Sequence, residues 1–143
     1  SAFVMRGPPG SPLFPCATLV RSRVGESRVI GAGQSVGNGG GACGAGGRGG
    51  AVVISCGSRI VVEAMRHGVS PAAAVKDVLK RIVEQTVDPR LLDKKSRPDF
   101  EVVLYALRKD GRHAAGSIYK GRQYAVNEGG GSKLLDCVHL LDR

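Results

Sequence analysis

The feature that most constrains this chain is the glycine-rich stretch GAGQSVGNGGGACGAGGRGGAVV, which runs from Gly31 to Val53. Glycine loses more backbone freedom on folding than any other residue, so a cluster of glycines lowers stability unless it serves a purpose. Here the cluster lies directly before an apolar run. It therefore indicates either a flexible linker or a place where bare backbone must come close to something else.

Length and composition indicate one globular domain. The chain has 143 residues, of which 42% are hydrophobic and 23% charged, and it has no tryptophan, so its core must be aliphatic. The net charge of +9 comes from basic residues scattered along the chain with few aromatic residues between them. A solvated basic surface is therefore favoured over a nucleic-acid site, and no nucleic-acid partner is expected.

Cysteine and histidine give no sign of a metal site. None of the cysteines forms a C-x-x-C pair, so three disulfide pairings stay open, and the histidines lie at no ligand spacing. These residues are Cys16, Cys43, Cys56, Cys137, His67, His113 and His139. We expect no metal and no cofactor. No apolar run approaches the roughly 18 residues of a membrane span, and the N-terminus does not resemble a signal peptide, so the compartment stays open.

The chain divides into an irregular lead-in over residues 1–20, rich in proline, and a domain over residues 21–143. In the domain, AVVISCGSRIVVEAMRHG predicts one helix that ends at Gly68. VSPAAAVKDVLKRIVEQ predicts a second helix, with Ser70 as N-cap and Pro71 in its first turn. The charged stretch VDPRLLDKKSRPD is predicted to be a loop.

From Glu101 onward the apolar pattern has a period of two, which is typical of strands. Turns at Asp110-Gly111 and at Gly121 predict an antiparallel hairpin or meander. The EGGGS stretch near the end is interpreted as a flexible join. The fold class is therefore α+β, with two helices packed on an antiparallel sheet.

Two kinds of site would explain the glycines. GAGGRG, from Gly44 to Gly49, matches the dinucleotide fingerprint G-x-G-x-x-G, and Glu63 lies near the distance of a ribose-binding acid. That fingerprint needs a buried strand just before it, and QSVGNGGGAC is a poor strand, so this alternative is less favoured. The other kind is an oxyanion hole, in which N–H groups of a strand-to-helix turn stabilise negative charge on a former carbonyl oxygen.

Several stretches resemble one known family. RVGESRVIGAG resembles the R-V-G-D-S-P-I-x-G-A-G motif, and GACGAGGRGG resembles the G-A-x-x-A-T-G-x-G-[DE] segment, of the glycosylasparaginase family. These N-terminal-nucleophile amidohydrolases also include isoaspartyl peptidases and plant-type asparaginases. The helical and strand stretches that follow are also similar. The resemblance runs from about Arg23 to Asn127 and corresponds to the family's second, β, subunit.

The resemblance implies a four-layer αββα sandwich that hydrolyses the side-chain amide of an asparagine derivative, with an N-terminal threonine as nucleophile. It implies that Arg23 binds the substrate's α-carboxylate and that Glu26 stands where an aspartate holds the α-amino group. Gly47 matches the oxyanion glycine, whereas Gly46 replaces the threonine of the oxyanion hole and Gly50 replaces an acidic residue.

The nucleophile strand has no counterpart in residues 1–20, so we expect an N-terminally incomplete chain without a catalytic residue of its own. Ser1 is a less favoured nucleophile. The sequence thus predicts an impaired amidohydrolase or, alternatively, a noncatalytic remnant or interaction domain. Because the family's sheets are shared between two chains, we expect exposed sheet edges and apolar surface and an α-subunit-like or identical partner. A eukaryotic glycosylasparaginase would be lysosomal; otherwise the compartment would be cytoplasmic or periplasmic.

Overall fold

The computed structural model describes residues 29–142. These form seven strands and three α-helices, with a short 3-10 turn at Pro89–Leu91. In chain order they are β1 (Gln34–Gly37), β2 (Gly41–Gly47), α1 (Gly49–Ser55), α2 (Gly57–Arg66), α3 (Pro71–Gln85), β3 (Val102–Arg108), β4 (His113–Tyr119), β5 (Gln123–Asn127), β6 (Ser132–Asp136) and β7 (Val138–Leu141). The predicted lead-in over residues 1–20 lies outside the described residues, as do Arg23 and Glu26.

Five of the strands form the main sheet, in the order β1-β2-β3-β4-β7. All neighbours in it are antiparallel except β4 and β7, which run parallel. Strands β5 and β6 form a separate two-stranded ribbon. Helices packed on a mostly antiparallel sheet confirm the α+β class expected from the sequence.

The helical region contains three helices rather than the two predicted, because the first predicted helix is broken at Cys56. This residue has a φ of +48° in the left-handed region, so it ends α1 and begins α2. Its N–H donates to the carbonyl of Val53 at 3.1 Å. The second predicted helix is α3, and its Ser70 Oγ accepts the N–H of Ala73 at 3.3 Å, as expected for an N-cap.

The glycine cluster forms the β1–β2 hairpin. QSVGNGGGAC is thus divided between the short strand β1, a turn and the start of β2, and it is not the single buried strand that the dinucleotide fingerprint needs. The Asn38-Gly39 dipeptide lies in its turn, where the N–H of Gly40 donates to the carbonyl of Gly37 at 3.0 Å. A Cβ on Gly40 would overlap the carbonyl oxygen of Val62, and one on Gly41 would overlap that of Leu107. At these two positions glycine lets backbone lie against backbone.

The C-terminal strands correct the predicted meander. The β3–β4 hairpin turns at Asp110-Gly111 as expected, with the N–H of Gly111 donating to Arg108 at 3.0 Å. After Gly121, however, the chain leaves the main sheet, and the more apolar β7 takes the place beside β4. EGGGS is the turn of the β5–β6 ribbon rather than a flexible join, and Asn127 Oδ1 accepts the N–H of Gly129 in it at 2.9 Å.

The two faces of the main sheet differ. The covered face lies under the helices, where fully buried side chains of α3 meet those of the strands; they are Val75, Val78, Leu79, Ile82, Leu104 and Ile118. The open face carries the alternate side chains of the same strands, among them Val36 (77% exposed), Tyr105 (46%) and Leu107 (50%). The expected exposed apolar surface is therefore present.

Candidate active site

The candidate site is the turn from β2 into α1, which contains Gly46, Gly47 and Arg48. This strand-to-helix turn lies where the sequence predicted one. Gly47 ends β2 with a φ of +102°, and the N–H of Arg48 then donates to the main-chain carbonyl of Glu101 at 2.9 Å. A Cβ on Gly47 would overlap that same carbonyl oxygen. Both the backbone conformation and the close approach to β3 therefore require glycine at position 47.

Gly46 has different surroundings from Gly47. It lies opposite Val103 on the open face, and a Cβ built on it meets no heavy atom within 4 Å. Gly50, in the first turn of α1, has the same free space. The side chains that the resembling family carries at these two positions therefore have room here.

The first turn of α1 provides backbone N–H donors. The N-cap residue, Arg48, makes no side-chain hydrogen bond to this turn. The leading N–H groups of any α-helix lack partners within the helix, and the helix dipole adds partial positive charge there. Gly49 is buried, but Gly50 is exposed and has no side chain that would cover the N–H groups of this turn. The turn can therefore approach a developing negative charge closely.

Charged groups surround the turn. The Arg48 guanidinium lies 5.4 Å from the centre of the Phe100 ring, a cation–π contact. Arg90 donates to the Asp88 carboxylate, with an Nη2–Oδ2 distance of 2.7 Å. That hydrogen bond holds the pKa of Asp88 below its usual range, and the charge of Arg48 adds a smaller effect in the same direction.

Sequence reasoning placed Gly46 and Gly47 at this turn, but it missed Arg48, Phe100 and Asp88. Arg48 occupies the variable position of the glycine motif, and Phe100 is distant in sequence, so no local pattern marked them. Arg23 and Glu26 lie outside the described residues, and their proposed roles stay predictions.

The dinucleotide alternative does not fit the structure. Gly44, Gly46 and Gly47 belong to β2 itself, which is antiparallel to both of its neighbours, whereas the fingerprint needs a loop that follows a parallel strand. Glu63, the proposed ribose-binding acid, forms an ion pair with Arg66 on the surface of α2. This hydrogen bond with Arg66 lowers the pKa of Glu63.

The thiols of the described residues are all free. Burial raises the pKa of the Cys43 thiol to about 12, so this side chain stays protonated beneath α2. Within residues 29–142 no three potential metal ligands come together. None of the helices in that range is long and apolar enough to cross a bilayer.

Helices on one face of a mostly antiparallel sheet, with a glycine turn at the strand end, are features of one αβ half of the αββα sandwich of N-terminal-nucleophile hydrolases. The family model described as Asparaginase matches residues 18–89. An N(4)-(Beta-N-acetylglucosaminyl)-L-asparaginase of Elizabethkingia miricola is 38% identical over 118 residues, which are 82% of this chain and 34% of that protein. A probable isoaspartyl peptidase/L-asparaginase 3 of Arabidopsis thaliana is 31% identical over 107 residues, which are 75% of this chain and 27% of that protein.

This chain belongs to the asparaginase family that includes glycosylasparaginases and isoaspartyl peptidases. It spans about a third or less of the length of these curated relatives.

Proposed function

We propose that this chain is the β-subunit-like part of an amidohydrolase that acts on the side-chain amide of asparagine derivatives, such as aspartylglucosamine or β-aspartyl peptides. The observation that carries the proposal is the Gly47 turn, whose backbone is held against Glu101 and leads directly into the N–H groups of α1. Amide hydrolysis places negative charge on the former carbonyl oxygen, and preorganised backbone donors stabilise that charge.

In this proposal Arg23 binds the α-carboxylate of the substrate and Glu26 binds its α-ammonium group. A guanidinium suits the first partner because it donates two parallel hydrogen bonds to a carboxylate. Glu26 is one methylene longer than the aspartate of the family motif, which moves its carboxylate in the site. The substrate is thus recognised by its amino-acid end and cleaved at its side-chain amide.

Activity is proposed to be impaired. The motif threonine at position 46 would supply a side-chain donor to the oxyanion, and removal of one such donor typically costs on the order of 100–1,000-fold in rate.

The open face favours a second candidate function, a noncatalytic domain that binds a partner through this sheet. Its exposed Val36, Tyr105 and Leu107 form an apolar surface that a second sheet would cover. We propose an α-subunit-like chain or a second copy of this chain as that partner. In the enzyme hypothesis this partner would also complete the substrate pocket.

The test measures aspartate release from aspartylglucosamine and from a β-aspartyl dipeptide, and binding of aspartate by calorimetry. The enzyme hypothesis expects turnover that is lost in Arg23→Ala. It also expects Gly46→Thr to increase turnover, because the threonine hydroxyl has room and adds a donor.

Gly44→Thr is the matched control, since Gly44 lies on the same face with the same free space. It should leave turnover unchanged. Aspartate binding that requires Arg23, without turnover, would favour the noncatalytic domain. If the chain shows no turnover and no aspartate binding, the proposed substrate class is contradicted.

A further inference from the structure

Glu101 connects more elements than any local pattern in the sequence suggests. It lies immediately before β3, and its side chain is only 17% exposed. Its Oε1 accepts main-chain N–H groups from Ile118 at 2.8 Å, Val102 at 3.1 Å and Tyr119 at 3.4 Å. One carboxylate oxygen therefore joins the start of β3 to the end of β4, just beyond their last paired residues, Val103 and Ser117.

The main chain of the same residue holds the candidate site. Its carbonyl oxygen accepts the N–H of Arg48 at 2.9 Å and lies where a Cβ on Gly47 would be. The position of this carbonyl therefore determines where the turn lies. The side chain of Glu101 in turn restrains that carbonyl, because the carboxylate is tied to two strands.

The second carboxylate oxygen faces a cation. Arg122 Nε lies 3.9 Å from Glu101 Oε2, and the Arg122 side chain is 60% exposed. Because its cationic partner is exposed and the two atoms are 3.9 Å apart, this ion pair contributes little to stability. The three partly buried hydrogen bonds of Oε1, rather than the ion pair, thus provide the restraint.

We propose that Glu101 is a positioning residue for the Gly47–Arg48 turn. Its carboxylate fixes the end of β3, and its carbonyl then holds the Arg48 amide and sets the entry into α1. The relevance of this role to catalysis rests on the proposed function, since only there is the turn an oxyanion site. The positioning itself concerns the unliganded chain and needs no substrate.

The test is amide hydrogen exchange, followed residue by residue by NMR, in the full chain. Glu101→Leu keeps a similar volume but removes the acceptors. It should speed exchange of the Arg48 amide by about tenfold or more, the change expected when a hydrogen bond to a charged group is lost. Glu101→Gln keeps a neutral acceptor and should restore most of the protection.

The Lys109 amide serves as the internal reference, because it donates to Gly40 at the opposite end of the β2–β3 pair. Its exchange should stay unchanged. Equal acceleration at Arg48 and Lys109 would show a merely structural role and overturn the proposal, as would an unchanged Arg48 amide. Arg122→Gln, which removes the exposed ion pair, should leave both amides unchanged.

If Glu101→Leu does not fold, Glu101→Asp takes its place. The shorter carboxylate cannot reach the Ile118 amide while the strands keep their positions, so the Arg48 amide should again exchange faster. An Arg48 amide as protected as in the unmodified chain would overturn the proposal here too. Loss of turnover alone tests the proposed function, and the exchange rates test Glu101, so the two failures are distinguishable.

Discussion

The covered and open faces of the main sheet are built from the same strands, yet their side chains meet different surroundings. On the covered face, Leu104 and Ile118 are fully buried, and a Cβ on Gly116 would lie 2.9 Å from both Val75 and Leu79. On the open face, Tyr105 and Leu107 are about half exposed, and a Cβ on Gly44 or Gly46 would meet nothing within 4 Å. The covered face has no space left, whereas the open face is uncovered over β1, β2 and β3; at β4 the same face is covered, since Ala115 and Ser117 are buried there.

The two faces therefore differ in what covers them, helices of the chain itself on one and solvent over much of the other. A sheet that is apolar on both faces is normally covered on both, as in sandwiches and layered folds. The covered face and its helices provide the core within residues 29–142. The exposed part of the open face has the room that a second layer would need, as in the αββα sandwich that the family resemblance implies.

The largest expected effect comes from a cavity on the covered face. Leu79 is fully buried between α3 and the sheet, so Leu79→Ala should lower the free energy of unfolding by about 2–5 kcal/mol. Urea denaturation followed by circular dichroism measures the change. A loss below about 1 kcal/mol, as for ordinary surface substitutions, would contradict the close packing of this face.

A smaller effect separates two adjacent glycines of the candidate site. Gly47→Ala places a Cβ against the Glu101 carbonyl at a φ of +102°, and it should destabilise the chain by more than about 1 kcal/mol. Gly46→Ala has free space and no positive φ, so it should be neutral or slightly stabilising. Thermal melts of both variants measure the contrast, and equal losses would argue that the turn is not held against β3.

Parts of the fold could be predicted because their signals are local. Helix α3 follows from Ser70, Pro71 and a regular apolar stripe, and the β3–β4 hairpin follows from Asp110-Gly111 between alternating residues. The break at Cys56 could not be predicted, because a left-handed conformation at a non-glycine residue depends on the packing around it. The glycine strands were missed because strand propensity is low for glycine, although Asn38-Gly39 is a hairpin signal.

For the candidate site, the motif singled out Gly46 and Gly47, which lie at the end of β2 just before α1, and their role in the site stays a prediction. Sequence alone could not show why the two glycines differ. One faces the backbone of β3 and the other faces open space, and this depends on strand pairing between residues more than 50 positions apart. The contribution of Glu101 was hidden for the same reason, since its partners Arg48 and Ile118 are distant in sequence.

The smallest expected effect on stability lies on the open face. Tyr105 and Leu107 alternate with buried residues of β3, and both point away from the helices. Replacing both with serine, in Tyr105→Ser/Leu107→Ser, should change the free energy of unfolding of the isolated chain by only about 0.5 kcal/mol per site. The same double substitution should strongly reduce association, because it removes apolar area that a partner would bury.

Urea denaturation of the isolated chain measures the free energy of unfolding. Analytical ultracentrifugation of the chain, alone and with a candidate partner, measures association. Ala106→Ser is the control, since Ala106 lies between them on the same strand but faces the core. It should affect stability rather than association. If the double variant unfolds like a core mutant, the open face is already covered within the chain. If the unmodified chain is a monodisperse monomer and the double variant sediments in the same way, the open face has no role in self-association. A different subunit then remains the partner to test.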